Sequence, residues 1–216
     1  MSLKYLWLNI PPRIASTFSP VVVSRVPNHE NKIFLTFDDG PTDATKHLLT
    51  YLESMSIVST FFWTGSNVAS FDTDGDGSRL ASSVTIGNHF NDHRDPWTMR
   101  RKAMQESISE AATAITSKTG VVPKTVRPPY GHVTPGLVSM ARANGLRVIL
   151  WDVMAGDFMD GIDVEVMVAE CCKRIQSGSI VVLHDHGIRH FEDVLIPFIS
   201  RLNTRIVEAG FSFSAL

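Results

Sequence analysis

From Lys32 onward, short apolar runs rich in β-branched and aromatic residues alternate with longer stretches whose apolar positions recur every three or four residues. The runs Ile33 to Phe37, Ser59 to Trp63, Val84 to Gly87, Thr125 to Arg127, Arg147 to Trp151 and Ser179 to Leu183 predict strands, with a short last one over Phe211 to Ser214. Between them, Ala44 to Met55 carries Leu48, Leu49 and Leu52 on one helical face, and Met104, Ile108, Ala111 and Ile115 form a stripe that stops near Gly120. Thr134, Pro135 and Gly145 read as the N-cap, first turn and C-terminal stop of another helix. Val164 to Ile175 and Pro197 to Glu208 supply two more, followed by Gly178 and Gly210. Strands alternating with helices in this way predict an α/β fold, a closed or nearly closed β/α barrel whose active groups sit at the carboxyl ends of the strands.

Composition adds bounds. The 216 residues are 44% hydrophobic, enough for one sizeable core without cross-links. The barrel pattern starts at Lys32, so the chain divides into an extension, 1–31, and one domain, 32–216. Twenty basic and 22 acidic residues leave a formal charge of −2, which offers no footprint for nucleic acid or an anionic membrane and suits a neutral substrate. The adjacent Cys171 and Cys172 read as small residues on a buried helix rather than a bridge. No apolar run reaches transmembrane length. The apolar patch Tyr5 to Ile10 is broken by Pro11 and Pro12 and lacks a cleavage site. The sequence as it stands is therefore expected in the cytoplasm, or in the cell envelope or outside if a leader has been trimmed. Asp72 to Gly77 reads DTDGDG, the opening of a calcium loop, but Ser83 stands where a bidentate glutamate is needed, so it reads as a solvated acidic turn.

Four constellations carry chemistry. At the end of the first predicted strand, Thr36-Phe37-Asp38-Asp39-Gly40-Pro41 places two neighbouring carboxylates where the chain leaves the sheet. Their repulsion is relieved if one binds a cation, which leaves the other beside it as a base. Asn88-His89-Phe90-Asn91-Asp92-His93 holds two imidazoles four residues apart, which with a carboxylate make a three-ligand metal site with open positions. Arg127-Pro128-Pro129-Tyr130-Gly131 stiffens a turn after a strand, and Arg127 has the forked geometry to orient a carboxylate. Ile180 to Asp185 is an apolar strand ending in His184, a proton donor at the same rim. Taken singly, each has a bland reading: a solvated turn, a surface pair, a structural arginine, a structural histidine.

Taken in order, together with Thr60-Phe61-Phe62 and Gly210-Phe211-Ser212-Phe213, they closely resemble the polysaccharide deacetylases of carbohydrate esterase family four, the NodB homology domain, over Lys32 to the C-terminus. The resemblance implies a single-domain distorted (β/α)₇ barrel. It implies a divalent metal, zinc ahead of Co²⁺, Ni²⁺, Fe²⁺ or Mn²⁺, held by Asp39, His89 and His93. Asp38 becomes the general base, held by Arg127, and His184 the general acid. The Tyr130 N–H becomes an oxyanion donor, and Pro129, Trp151 and Phe158 line a substrate groove. The implied reaction is removal of acetyl from N-acetylglucosamine-containing poly- or oligosaccharide of the chitin or peptidoglycan type.

The sequence departs from that pattern in two places. Phe90 stands where relatives carry Ser or Thr, which removes a hydroxyl that ties the metal loop together. Met154 falls at the position of an aspartate that tunes the acid histidine, and Phe158 at that of an exposed tryptophan. His184 is thereby left without its carboxylate, unless Asp152 or Asp157 takes the place through a shifted backbone. Three other readings stand beside the amide deacetylase: an O-acetyl esterase acting on xylan, a non-catalytic carbohydrate-binding descendant, and a non-haem iron oxygenase built on the same two histidines and one carboxylate.

Overall fold

The computed structural model describes residues 16–17, 19–72, 84–159 and 161–216. In chain order its elements are β1 (Val22–Val23), β2 (Lys32–Asp38), α1 (Thr45–Ser54), β3 (Ser59–Trp63), α2 (Gly65–Ser70), β4 (Thr85–Asn88), α3 (Arg101–Thr119), β5 (Thr125–Val126), α4 (Pro135–Ala143), β6 (Arg147–Ile149), β7 (Val153–Met154), α5 (Val164–Cys172), β8 (Ile180–His184), α6 (Ile196–Glu208) and β9 (Ser212–Phe213). Every ladder between these strands is parallel. Neighbours run β1-β6-β5-β4-β3-β2-β8-β7, with β9 beside the start of β2. The ring is completed by one bent segment. Its first part, β6, pairs with β5; the chain turns at 150–152; its second part, β7, pairs with β8 and so leads back to β2. This is the distorted (β/α) barrel, and the distortion sits in a single strand.

Alternation along each strand separates two apolar environments. From β2, Ile33, Leu35 and Phe37 face outward to Leu48 and Leu52 of α1 and Phe198, Leu202 and Ile206 of α6. Phe34 faces inward, where it meets Phe62, Ile149, Trp151, Met154, Ile180 and Val182. Thr36 and Asp38 keep Phe34's phase, so the inner face of β2 climbs from an apolar floor to a carboxylate at the rim. The same count on β8 takes Ile180 and Val182 to His184. Gly87 of β4 gives Phe62 its space, since a β-carbon there would lie 2.5 Å from the Phe62 ring.

The predicted helices are present, with the stripe Met104, Ile108, Ala111 and Ile115 of α3 buried. The Thr134 side chain accepts the Leu137 N–H at 3.1 Å, as its N-cap position requires. The cysteines of α5 are unbridged. Three elements were not expected. The predicted strand Arg147 to Trp151 ends at Ile149 and resumes as β7. The short helix α2 follows β3, and Val22–Val23, inside the stretch read as an extension, pairs with Val148–Ile149. The acidic loop with calcium-loop resemblance lies outside the described residues beyond Asp72. No helix among the described residues is long and apolar enough to cross a membrane.

Candidate active site at the carboxyl ends of the strands

Asp38 is buried at the top of β2, and the fully buried Arg127, one residue past β5, reaches across the barrel to it with an Nη1 to Oδ1 distance of 2.6 Å. The same nitrogen donates to Thr36 Oγ1, while Nε and Nη2 donate to the carbonyls of Ile149 and Leu150. The guanidinium lies 4.1 Å from the centre of the Phe62 ring. Burial lowers the Arg127 pKa and the Asp38 charge opposes that fall. An ion pair this enclosed persists because each charged edge is met by a partner.

Asp39 follows with φ 72°, a left-handed backbone that turns its side chain out of β2 and over the rim. Its Oδ1 stands 3.4 Å from His89 Nε2 and 3.1 Å from His93 Nε2, and its Oδ2 accepts a hydrogen bond from His186 Nε2 at 2.9 Å. Asp39, His89 and His93 offer ligand atoms within 4.8 Å of one another. Oδ1 is buried and takes no hydrogen bond, despite the two imidazole nitrogens beside it. A buried carboxylate oxygen and two imidazole nitrogens converging in this way is an arrangement that a divalent cation satisfies. His89 is oriented for that role: its Nδ1 donates to the Arg127 carbonyl at 2.8 Å, which turns Nε2 toward Asp39. Burial would raise the Asp39 pKa, but His186, His89 and His93 pull it well below the usual carboxylate range.

Phe90 is fully buried against the α3 and α4 side of the core, and the loop it interrupts is tied by other groups. Asn88 Oδ1 accepts the Phe90 N–H at 2.9 Å, and the Ser107 hydroxyl of α3 accepts the Asn91 N–H at 2.9 Å while donating to Asp92 at 3.0 Å. The hydroxyl missing from position 90 is thus supplied from a helix. Of the two carboxylates offered in place of the aspartate missing at Met154, Asp157 and not Asp152 meets His184. His184 Nδ1 donates to Asp157 Oδ1 at 3.0 Å, and its backbone N–H donates to Oδ2 at 2.8 Å. Met154 packs in the barrel interior, and Asp152 binds Ser179, the Ile180 N–H and Arg25. Burial lowers the His184 pKa, yet Asp157, with smaller help from Asp38 and Asp39, raises it to about 9. Burial pushes Asp157 up, and His184 with His190 more than reverses that.

The expected groove residues separate. Phe158 is 44% exposed and stands edge-on to His184, 5.3 Å between ring centres. Trp151 is 5% exposed and lies under Gly131, and Pro129 is buried, so these two are floor rather than lining. Tyr130 has φ 59° and its ring lies 5.0 Å from that of His93. His186 and His190 were not singled out beforehand for the roles they take, whereas Asp157 was one of the two carboxylates offered. The run His184-Asp185-His186-Gly187-Ile188-Arg189-His190 was the available signal, three histidines within seven residues at a strand end. Asp185 itself is buried and accepts from the Thr42 and Thr45 hydroxyls, anchoring the start of α1.

Comparison with known proteins places the chain in a family. The sequence profile of the polysaccharide deacetylase family matches residues 25–149, more than half of the chain, and the chain belongs to that family. It is 26% identical over 184 residues to the peptidoglycan-N-acetylglucosamine deacetylase of Bacillus cereus, covering 83% of this chain and 66% of that one. It is also 26% identical over 184 residues to the bifunctional xylanase/xylan deacetylase of Cellvibrio japonicus, covering 82% of this chain and 26% of that one. The chain therefore spans only part of the length of these relatives. The crystal structure of the Bc1960 peptidoglycan N-acetylglucosamine deacetylase superposes with a TM-score of 0.82 over 89% of each chain, at 23% identity, a likeness of fold.

Proposed function

We propose that the chain hydrolyses acetamido groups on an N-acetylglucosamine-containing poly- or oligosaccharide, releasing acetate, with a divalent metal, zinc by preference, on Asp39, His89 and His93. The observation that carries this reading is the bare Asp39 Oδ1 facing two imidazole nitrogens, with the Asp38–Arg127 pair at one flank and the His184–Asp157 pair at the other. When bound there, such an ion supplies Lewis acidity for an acetyl carbonyl and lowers the pKa of adjacent water.

Asp38 takes the proton from the attacking water as oxygen adds to the acetyl carbon, and Arg127 holds the carboxylate in place for it. The resulting oxyanion is met by the Tyr130 N–H; one such donor is typically worth about 2.7 to 4 kcal/mol of activation free energy. His184 then gives its Nε2 proton to the nitrogen as the carbon–nitrogen bond breaks, leaving an amine and acetate. Asp157 holds the His184 pKa above its ordinary value, which favours the protonated ring, and their bond through Nδ1 aims Nε2 away from the carboxylate.

The test is acetate release from N-acetylglucosamine oligomers and from acetylated xylan, using protein stripped of metal and reloaded with zinc, beside Asp38→Asn. Release from the oligomers that needs zinc and Asp38 supports the amide deacetylase. Release from xylan alone would move the function to an ester, for which the same residues serve and which the likeness to the Cellvibrio enzyme favours. No release from either, with sugar binding retained, would leave a carbohydrate-binding descendant.

A further inference from the structure

From the metal-site histidine His93, a line of rings runs outward along the rim to residues that take no part in the proposed reaction. It begins at His93, passes to Tyr130 at 5.0 Å and to His132 at 5.8 Å, and ends at Trp97, whose ring lies 3.5 Å from His132 and within 5° of parallel. Trp97 is 65% exposed and Tyr130 60%. Asp95 fixes the outer end. Its Oδ1 accepts the Trp97 backbone N–H at 2.9 Å and His132 Nδ1 at 2.8 Å, while its carbonyl accepts the Thr98 hydroxyl at 2.8 Å. Pro96 then limits the backbone between them. Trp97 is thus held by its main chain and by the ring beneath it, yet turns most of its surface to water.

An isolated exposed apolar residue is ordinary on a protein surface. A stacked and tethered indole at the end of a line of rings leading from a metal-site histidine is a different case, because its ordering is complete before any partner arrives. We propose that Trp97, backed by His132 and Asp95, is a glycan platform that stacks on a pyranose ring two sugars away from the reacting sugar, on the His93 side of the site. The inference rests on the reading of this site as a polysaccharide deacetylase. The axial C–H face of a pyranose is the neutral, apolar surface that an indole face takes. His132 Nδ1 and Asp95 Oδ1 are 2.8 Å apart, so the polar edge of the His132 ring is engaged by the carboxylate while its face supports the indole. Phe158 stands at the acid side, against His184, so aromatic surface is available at two separate places on the rim.

The experiment compares binding of N-acetylglucosamine dimer and pentamer, by titration calorimetry, to zinc-loaded full chain carrying Asp38→Asn, with and without Trp97→Ala. The platform predicts pentamer affinity about five- to tenfold weaker on loss of the indole and dimer affinity unchanged within twofold, with Trp97→Phe retaining most of the difference. Equal loss for both oligomers, an unchanged pentamer affinity, or no pentamer binding by the parent chain overturns it. Acetate assays on the chain with Asp38 intact separate the two readings. If no oligomer is hydrolysed while pentamer binding still depends on Trp97, the deacetylase reading fails and the platform stands. If oligomers are hydrolysed with a pentamer KM indifferent to Trp97→Ala, the platform fails alone.

Discussion

Asp157→Asn removes one charge and almost no volume at the point where the acid histidine is held. An asparagine oxygen still accepts the Nδ1 proton of His184, so the tautomer and the aim of Nε2 are retained. The charges facing His184 are Asp157, whose bond it shares with His190, the more distant Asp38 and Asp39, and the neighbouring imidazole of His186, 5.2 Å ring to ring. Burial alone pulls the imidazole below its ordinary 6.5, so the rise to about 9 is mainly the work of Asp157. Loss of that charge should bring His184 to 6.5 or lower, a change on the order of 3 kcal/mol in the free energy of its protonation. In metal-free protein, the imidazole resonance followed by NMR should titrate near 9 in the parent and at or below 6.5 in the variant. For acetate release at pH 8, the protonated fraction falls by about thirtyfold, and kcat/KM should fall at least that far, with much of the deficit recovered toward pH 6. Because the folded value lies above 6.5, the pair also adds stability that is complete below pH 6.5 and lost as pH rises through about 9. An alkaline limb that is the same in parent and variant would refute the reasoning.

Other consequences are more local. Arg127→Met should cost about 3 to 5 kcal/mol of unfolding free energy in urea, because it leaves the buried Asp38 unpaired. His186→Ala should weaken zinc binding about 10- to 100-fold in a chelator competition, since it frees Asp39 Oδ2 while leaving all three ligands in place; an unchanged affinity would remove His186 from any part in the metal site. Ser107→Ala should cost about 1 to 3 kcal/mol and loosen the loop between His89 and His93, visible as faster amide exchange at Asn91.

Much of the barrel was legible because it depends on local alternation. The inward phase Phe34, Thr36, Asp38 and the outward phase Ile33, Leu35, Phe37 are written in β2 itself, and the motif residues Asp38, Asp39, His89, His93, Arg127 and His184 do meet at one rim. What was not legible depends on a bend. Counting along the chain put Met154 opposite His184, but β6 stops at Ile149, the ladder restarts at Val153, and Gly156 at φ 80° turns the backbone again so that Asp157 arrives beneath the imidazole. Linear spacing carries no record of those turns. For the same reason, Trp151 was expected in the groove and is found below it. The substitute for the missing hydroxyl at Phe90 comes from Ser107, 17 positions along on a separate helix, which spacing within the loop cannot reveal.

Arg127 touches both halves of the site, since its side chain grips Asp38 and its own carbonyl receives the His89 ring. Asp38 and His89, the proposed base and one proposed metal ligand, are therefore referenced to one residue rather than to two independent loops. Thermal widening or narrowing of the barrel would carry them together and preserve the distance between them. Sequence drift in the surrounding shell would be tolerated as long as that residue is left in position.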